Sequence, residues 1–463
     1  MPEPRDIREA EGSPLATMSA SSATPPPASS GSVSSTPSPA PAPRRRSRWL
    51  ALLSVLGPGI ISAAAGNDAG GITTFSQVGA TYGYTLLWCL ALVTIGLIVV
   101  QEMCTRMGAV TGKGLADLIR ENFGLKVTMF AMIVLLIANF AITVSEFAGI
   151  AAVGEMFLGH SARKIIVPVA MLIVWGVVSR GSYQKIERVF LIASLIFLTY
   201  IVTALKIGVP WGQVLHATFL PPLSKLPWSG DLIVMIVTLI GTTISPYMQF
   251  YQQSAVRDKG ISMKDYALAK WDTILGCLLS SIVAMFIVIT CAKELHGAGI
   301  THIESAGQVA VALQPLAGKY ASILFAFGLL NASLMAAMVV PLSSAYAVTE
   351  SLGWESGLGR RIRELPLFYG TYGALILMSG LLIMFLPAHS NLIQIILNAQ
   401  IVNCALLPVE LILMLILINR RRIMGHHKNS IGMNFVAWTT TVIAASLSLF
   451  LLLRQVWTAI HPV

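Results

Sequence analysis

Charge is what this chain has least of. Only 11% of its 463 residues are Asp, Glu, Lys or Arg, against about 25% in soluble globular domains. With 55% hydrophobic residues and a mean hydropathy of +0.74, a water-soluble fold is excluded. Cysteine is also sparse. The five present (Cys89, Cys104, Cys277, Cys291, Cys404) fall in or beside apolar runs without CxxC spacing. That argues against a disulfide framework or a thiolate metal centre and leaves packing roles. No GxxxxGK[ST], HExxH or GxSxG motif occurs, and no extramembrane stretch is long enough for a catalytic domain. The chain is therefore not expected to be an enzyme, nor to be driven by ATP. A net charge of +10 does not point to nucleic acid, because the basic residues sit in short links between apolar runs.

Hydrophobic runs of membrane-spanning length recur from residue 49 onward. Residues 1–48 are rich in Pro, Ser and Ala and are expected to form a disordered cytoplasmic tail. Arg44 to Arg48 followed by Trp49-Leu50-Ala51-Leu52-Leu53 resembles a signal peptide ending at Ala63-Ala64-Ala65. That reading fails, since Gly57-Pro58-Gly59 interrupts the apolar region and cleavage would discard half of a helix.

The apolar pattern gives eleven spans: 49–80, 84–106, 126–158, 164–180, 185–207, 230–256, 267–294, 319–350, 366–387, 391–419 and 432–457. Residues 111–123 read as a short amphipathic helix at the membrane surface. A transporter core is expected over 49–420, followed at 421–463 by a basic loop and a final membrane helix. The basic links, among them Arg44 to Arg48, Arg257 to Lys270 and Arg420 to Arg422, place the N-terminus in the cytoplasm of a multi-pass protein of the cell membrane.

Two spans are broken. Span 1 carries Asn67-Asp68-Ala69-Gly70-Gly71, and span 6 carries Thr242-Thr243-Ile244-Ser245-Pro246-Tyr247. Irregular backbone at membrane depth is tolerated only inside protein or around a water-filled cavity. An intramembrane carboxylate is a functional residue by default. The breaks are five spans apart, so an odd number of helices per half inverts the second half relative to the first. The expected architecture is an all-α inverted repeat, about 49–207 and 230–419, with its site between discontinuous helices 1 and 6.

A cation there would meet the Asp68 carboxylate, carbonyls of the unwound turns, and the hydroxyls of Thr242, Ser245 and Tyr247. Pro246 frees a further carbonyl by removing a helix hydrogen bond. Such oxygen donors suit Mg, Ca or Mn better than Zn, Cu or Fe. The other reading of Asp68 is a helix N-cap for the segment from Ile72, with the glycines serving close packing.

At these residues the chain resembles the Nramp family of divalent-metal transporters. Residues 68–88 run in register with the family's first-helix signature, Asp-Pro-Gly-Asn followed by Gln-x-Gly and Phe/Tyr-Gly-Tyr. Gly241 to Val256 matches the sixth-helix segment that usually reads Met-Pro-His. Ser145-Glu146-Phe147-Ala148-Gly149, Lys185-Ile186-Glu187-Arg188-Val189 and Gln400-Ile401-Val402 with Leu407-Pro408 fit as well. The resemblance implies an inverted repeat of the leucine-transporter type and keeps the metal-binding Asp as Asp68. It departs elsewhere: the family's Asn is Gly71, its Met is Ser245, its His is Tyr247, and an acidic residue before Glu146 is Thr143. Without the thioether, and with Gly71 leaving volume, the pattern is similar to the magnesium-transporting relatives in which proton coupling is absent.

Glu146 is expected either to handle protons or line the site, or else to hydrogen-bond neighbouring helix ends. Gln400 and Asn403, on one face of span 10, either reach the ion and its waters or bond between helices. Thr73 and Gln77 are expected to line the outer vestibule, Glu102 and Glu410 to pair with nearby bases, and His426-His427 to be solvated. The leading expectation is a carrier or facilitator, not proton-coupled because the family's proton-handling groups are missing, for hydrated Mg²⁺ with Mn²⁺ second, working as a monomer. The alternatives are a proton-coupled Mn²⁺/Fe²⁺ carrier and an amino acid or amine transporter on the same fold.

Overall fold

A computed structural model of the chain describes residues 66–180, 192–220, 226, 228–358, 362–387 and 390–460. The tail, residues 49–65 of span 1 and residues 185–191 of span 5, including Lys185-Ile186-Glu187-Arg188-Val189, lie outside the described residues. These form helices and connections with no strand among them: α1 Ala69–Tyr82, α2 Leu87–Thr111, α3 Leu115–Leu158, α4 Arg163–Ser179, α5 Leu198–Lys206, α6 Trp211–Phe219, α7 Gly230–Thr243, α8 Pro246–Asp258, α9 Tyr266–Glu294, α10 Ala321–Leu352, α11 Pro366–Phe385, α12 Leu392–Asn419 and α13 Ile431–Ile460.

Nine stretches among the described residues are long and apolar enough to cross a membrane. A tenth arises if residues 194–206 and 211–219, bent by 117°, count as one span. Each of the nine answers to an expected span; spans 1 and 5 are the two described only in part. Large apolar side chains such as Leu92, Ile137, Leu172 and Phe385 face outward, whereas Asp68, Glu146, Gln400 and Asn403 are buried. That reversal of the soluble pattern is what a bilayer requires.

Local chemistry sets the ends. The surface helix expected at 111–123 is the first part of α3, joined to the rest at Gly124, whose φ of 76° only glycine adopts without strain. Its apolar side (Leu115, Leu118, Ile119) is buried against protein. Among the described residues four short helices were not expected: α6, the pieces Ala306–Val311 and Gln314–Ala317 between α9 and α10, and Arg421–Met424 between α12 and α13. They lie in stretches too short for a periodic pattern to register.

At one end of the bundle Arg257, closing α8, binds Glu350 of α10 at 2.7 Å and Asp117 of α3 at 3.7 Å. Ser254 adds a bond to Glu350 at 2.8 Å, and Tyr346 donates to Asp258 at 2.6 Å. At the same end Glu102 pairs with Arg106 at 3.1 Å and accepts from Tyr266, as expected of it. Glu410 does not behave as expected: among the described residues neither of its oxygens has a partner, although it is buried. It lies within α12, away from the arginines that follow that helix, which is why no base reaches it.

Candidate metal-binding site

Where α1 begins, the Asp68 backbone is extended and its Oδ1 accepts the Gly71 N–H at 2.7 Å. Asp68 is therefore an N-cap. The cap and the ion-binding reading are compatible, because a carboxylate accepts several bonds at once. Glu146, in the last third of α3, accepts the Ala69 N–H through Oε2 at 3.2 Å, and its Oε1 is buried without a partner among the described residues. Two carboxylates thus converge on one helix N-terminus. Its dipole supplies roughly half a positive charge, far less than two carboxylates call for when both are ionised. A dication between them would restore the balance.

Close packing brings them together. A Cβ on Gly149, one turn beyond Glu146, would stand 2.6 Å from both Ala69 Cβ and Ser333 Oγ. Only glycine there lets α1, α3 and α10 meet.

The second break faces the first. α7 ends at Thr243, Ile244 and Ser245 are extended, and α8 restarts with Pro246, which needs no N–H at that position. Thr242 Oγ1 is buried without a partner. Tyr247 is fully buried and within electrostatic reach of both Asp68 and Glu146. α12 closes the site. The Gln400 carboxamide lies against Gly70, where a Cβ would stand 2.6 Å from Gln400 Cδ and 3.1 Å from Asp68 Oδ1. Neither amide atom of Gln400 has a hydrogen-bond partner among the described residues. A buried amide left open beside a carboxylate is the arrangement a ligand would complete.

Several expected residues have other work. The Ser245 hydroxyl donates to Gly241 O at 3.0 Å and accepts from Asn403 Nδ2 at 2.8 Å. Asn403 also donates to Gly241 O at 2.6 Å, so its nitrogen caps the end of α7 while its Oδ1 stays open. The interhelical reading of Asn403 holds for the nitrogen, and Ser245 has one lone pair to spare. Thr143 bonds back to Asn139 O at 2.6 Å within α3 and has no free hydroxyl proton for the pathway.

Gln77 does not line a vestibule. Its nitrogen donates to Thr81 Oγ1 at 2.6 Å and Thr301 O at 3.2 Å, and its oxygen accepts from Ile303 N at 3.1 Å, which ties α1 to the connection after α9. Gly71 leaves no spare volume either. The Gly66 carbonyl lies 2.7 Å from where its Cβ would be, so backbone oxygen fills the space of the absent side chain. Asn67, whose Oδ1 is buried and unpartnered, and Ser333 were missed. Asn67 stood beside Asp68 in the sequence, whereas nothing marked Ser333.

Above the site is an open cavity of about 510 Å³, lined by Glu155, His160, Glu304, Ser390, Asn391 and Ile393 among others. Ile393 precedes Gln400 by two turns of α12, roughly 10 Å, so the cavity lies on the side of the site where α3 finishes.

The Nramp family model, "natural resistance-associated macrophage protein-like", matches residues 59–454. The divalent metal cation transporter MntH of Acidiphilium cryptum is 27% identical over 392 residues, spanning 82% of this chain and 86% of that one. A manganese transporter of Eremococcus coleocola, solved with an aromatic bis-isothiourea compound, superposes with a TM-score of 0.77 at 18% identity, over 91% of this chain and 90% of that one. The nucleobase-cation-symport-1 transporter Mhp1, in a closed conformation, does so with a TM-score of 0.51 at 14% identity, over 85% and 91%. These structural likenesses establish the fold, and they agree with the helical architecture and discontinuous helix found here. With its family model matched from residue 59 to residue 454, the chain belongs to the Nramp family, whose members are membrane transporters and not enzymes.

Proposed function

We propose that this transporter carries divalent metal cations, hydrated Mg²⁺ first and Mn²⁺ second, without moving protons in exchange or alongside. The observation that carries the proposal is the set of open donors at the two breaks. Asp68 supplies charge, and Glu146 Oε1, Thr242 Oγ1, Asn403 Oδ1 and the Gln400 amide are buried without partners among the described residues. All the oxygens are hard, which suits Mg²⁺ and Mn²⁺. Ser245 replaces a sulfur donor at the position facing them. Several of these groups are neutral and short, matching an ion that keeps part of its water shell. The names of the two similar metal transporters support the substrate class. The committed hydroxyl of Thr143, and Tyr247 in place of an imidazole, support the absence of proton coupling.

The protein is proposed to act as a monomer in the cell membrane with its N-terminus in the cytoplasm. Uptake of Mg²⁺, Mn²⁺ and Ca²⁺ into proteoliposomes at clamped potential is the test. Mg²⁺ and Mn²⁺ entry is expected, with Mg²⁺ competing against Mn²⁺. Entry of Mn²⁺ untouched by excess Mg²⁺ would refute the Mg²⁺ assignment.

A further inference from the structure

The face of α12 that presents Gln400 and Asn403 continues through Leu407 to Glu410, in helical steps of three, four and three. Glu410 is thereby placed roughly 15 Å along the axis from Gln400. It is 5% exposed, and neither carboxyl oxygen has a hydrogen-bond partner among the described residues. A small cavity of about 10 Å³, room for one water molecule at most, lies against it, walled by Pro246 and Phe250 of α8, Ile119 and Leu135 of α3, and Leu406 and Leu413 of its own helix. Neither α3 nor α8 contributes a titratable group to these walls. From α2, Cys104 lies within electrostatic reach, and Glu102 beyond it is already held by Arg106 and Tyr266. Gln101, one turn from Cys104, is buried with both amide atoms open.

A carboxylate in such surroundings must be paired, bind a metal ion, or carry a proton. No base is near it. A divalent ion requires several oxygen ligands and retained waters, and the cavity walls offer no side-chain oxygen besides Glu410 itself. A proton needs only the carboxylate. We propose that Glu410 is a proton-binding site that senses the opening of the pathway between the metal site and the end of the bundle where α2 finishes. Two of the walls, Pro246 and Phe250, belong to the first turns of α8, directly after the break at Ile244 and Ser245. Motion of α8 away from α12 admits water to Glu410 and lets the proton leave as H₃O⁺, and the return motion traps it again. The metal site lies between Glu410 and the opposite face, so the proton is taken from and returned to one compartment. No proton crosses the membrane, and the proposal holds whichever divalent ion is carried.

The sign follows. The closed arrangement holds the proton and the open one releases it, so acid favours closure and transport rises with pH on that side, by at most about tenfold per pH unit for one proton. Glu410→Gln keeps the shape and removes the titration. Infrared difference spectra of the metal-free protein in detergent, acid minus alkaline, should show a protonated-carboxyl C=O band that the variant lacks. In proteoliposomes, Mg²⁺ and Mn²⁺ uptake by the variant should stay near the wild-type acid rate at every pH. An unchanged difference spectrum in Glu410→Gln, or an uptake profile of undiminished pH slope, overturns the proposal. The spectral readout contains no metal, so it stands or falls apart from the identity of the cargo.

Discussion

Adding one methyl group at Gly70 tests the construction of the metal site more sharply than removing a ligand does. Gly70 is in the first turn of α1, and its φ is not among the positive values, so the backbone accepts alanine there. The new Cβ would stand 2.6 Å from Gln400 Cδ and 3.1 Å from Asp68 Oδ1, whereas ordinary contacts begin near 3.4 Å. Gln400 Nε2 lies closer still; at the end of a flexible side chain, it must retreat by about 1.5 Å, which exceeds the latitude of a metal–oxygen or water–amide contact. Losing a hydrogen bond to a charged partner costs roughly 1.5–3 kcal/mol, or about ten- to a hundredfold in affinity. Helix propensity changes the other way, since alanine is favoured over glycine by up to about 1 kcal/mol. Gly70→Ala should therefore bind Mg²⁺ and Mn²⁺ ten- to a hundredfold more weakly in calorimetric titration while unfolding no earlier than wild type. A cycle with Gln400→Ala isolates the cause: in that background the alanine at 70 should cost less than twofold. Wild-type affinity in Gly70→Ala, or a full loss that persists without the Gln400 side chain, refutes the placement of Gln400 at the ion.

Asp68→Asn should abolish divalent uptake in proteoliposomes yet leave a folded, insertable protein, because asparagine caps a helix as well as aspartate does; retention of most of the wild-type rate removes Asp68 from the mechanism. Metal entry should not acidify the vesicle lumen, as read by a trapped pH dye at clamped potential; metal-dependent acidification would contradict uncoupled transport and direct attention to Glu146. The pair Gly71→Asn with Ser245→Met should shift relative affinity from Mg²⁺ toward Mn²⁺ or Cd²⁺ by about tenfold, roughly 1–2 kcal/mol. It must also displace the Gly66 carbonyl, and a ratio that stays put in titrations of both metals would show that selectivity is set elsewhere.

The break in the sixth span was legible because proline and serine dictate it locally, and the structure interrupts the helix at Ile244 and Ser245. Asp68 and Gln400 could be picked out because polar residues in an apolar run are conspicuous whatever surrounds them. Which of several polar residues stays open for a ligand is decided by its neighbours in space, and here the sequence was silent. Gln77 and Gln400 look alike in a list of intramembrane amides. One has both ends bonded to a connection more than two hundred residues away, and the other has none bonded. Ser245 and Asn403 looked equally free in the sequence, but they are bonded to each other, which leaves one oxygen of each for a ligand. Glu410 was misjudged because proximity in sequence to basic residues does not bring them to its side of the helix.

The bonds of Gln77 also have a history in time. Thr301, whose carbonyl accepts from it, lies 224 residues further along the chain. At synthesis rates of about 5–20 residues per second, that partner emerges roughly 10–45 s after Gln77 has entered the membrane. An amide inside the bilayer is costly to leave bare for so long. Thr81, four residues on and bonded to the same nitrogen at 2.6 Å, is available at once. Its hydroxyl can serve as a provisional partner during insertion, shielding the nascent helix until the loop that locks it has been made.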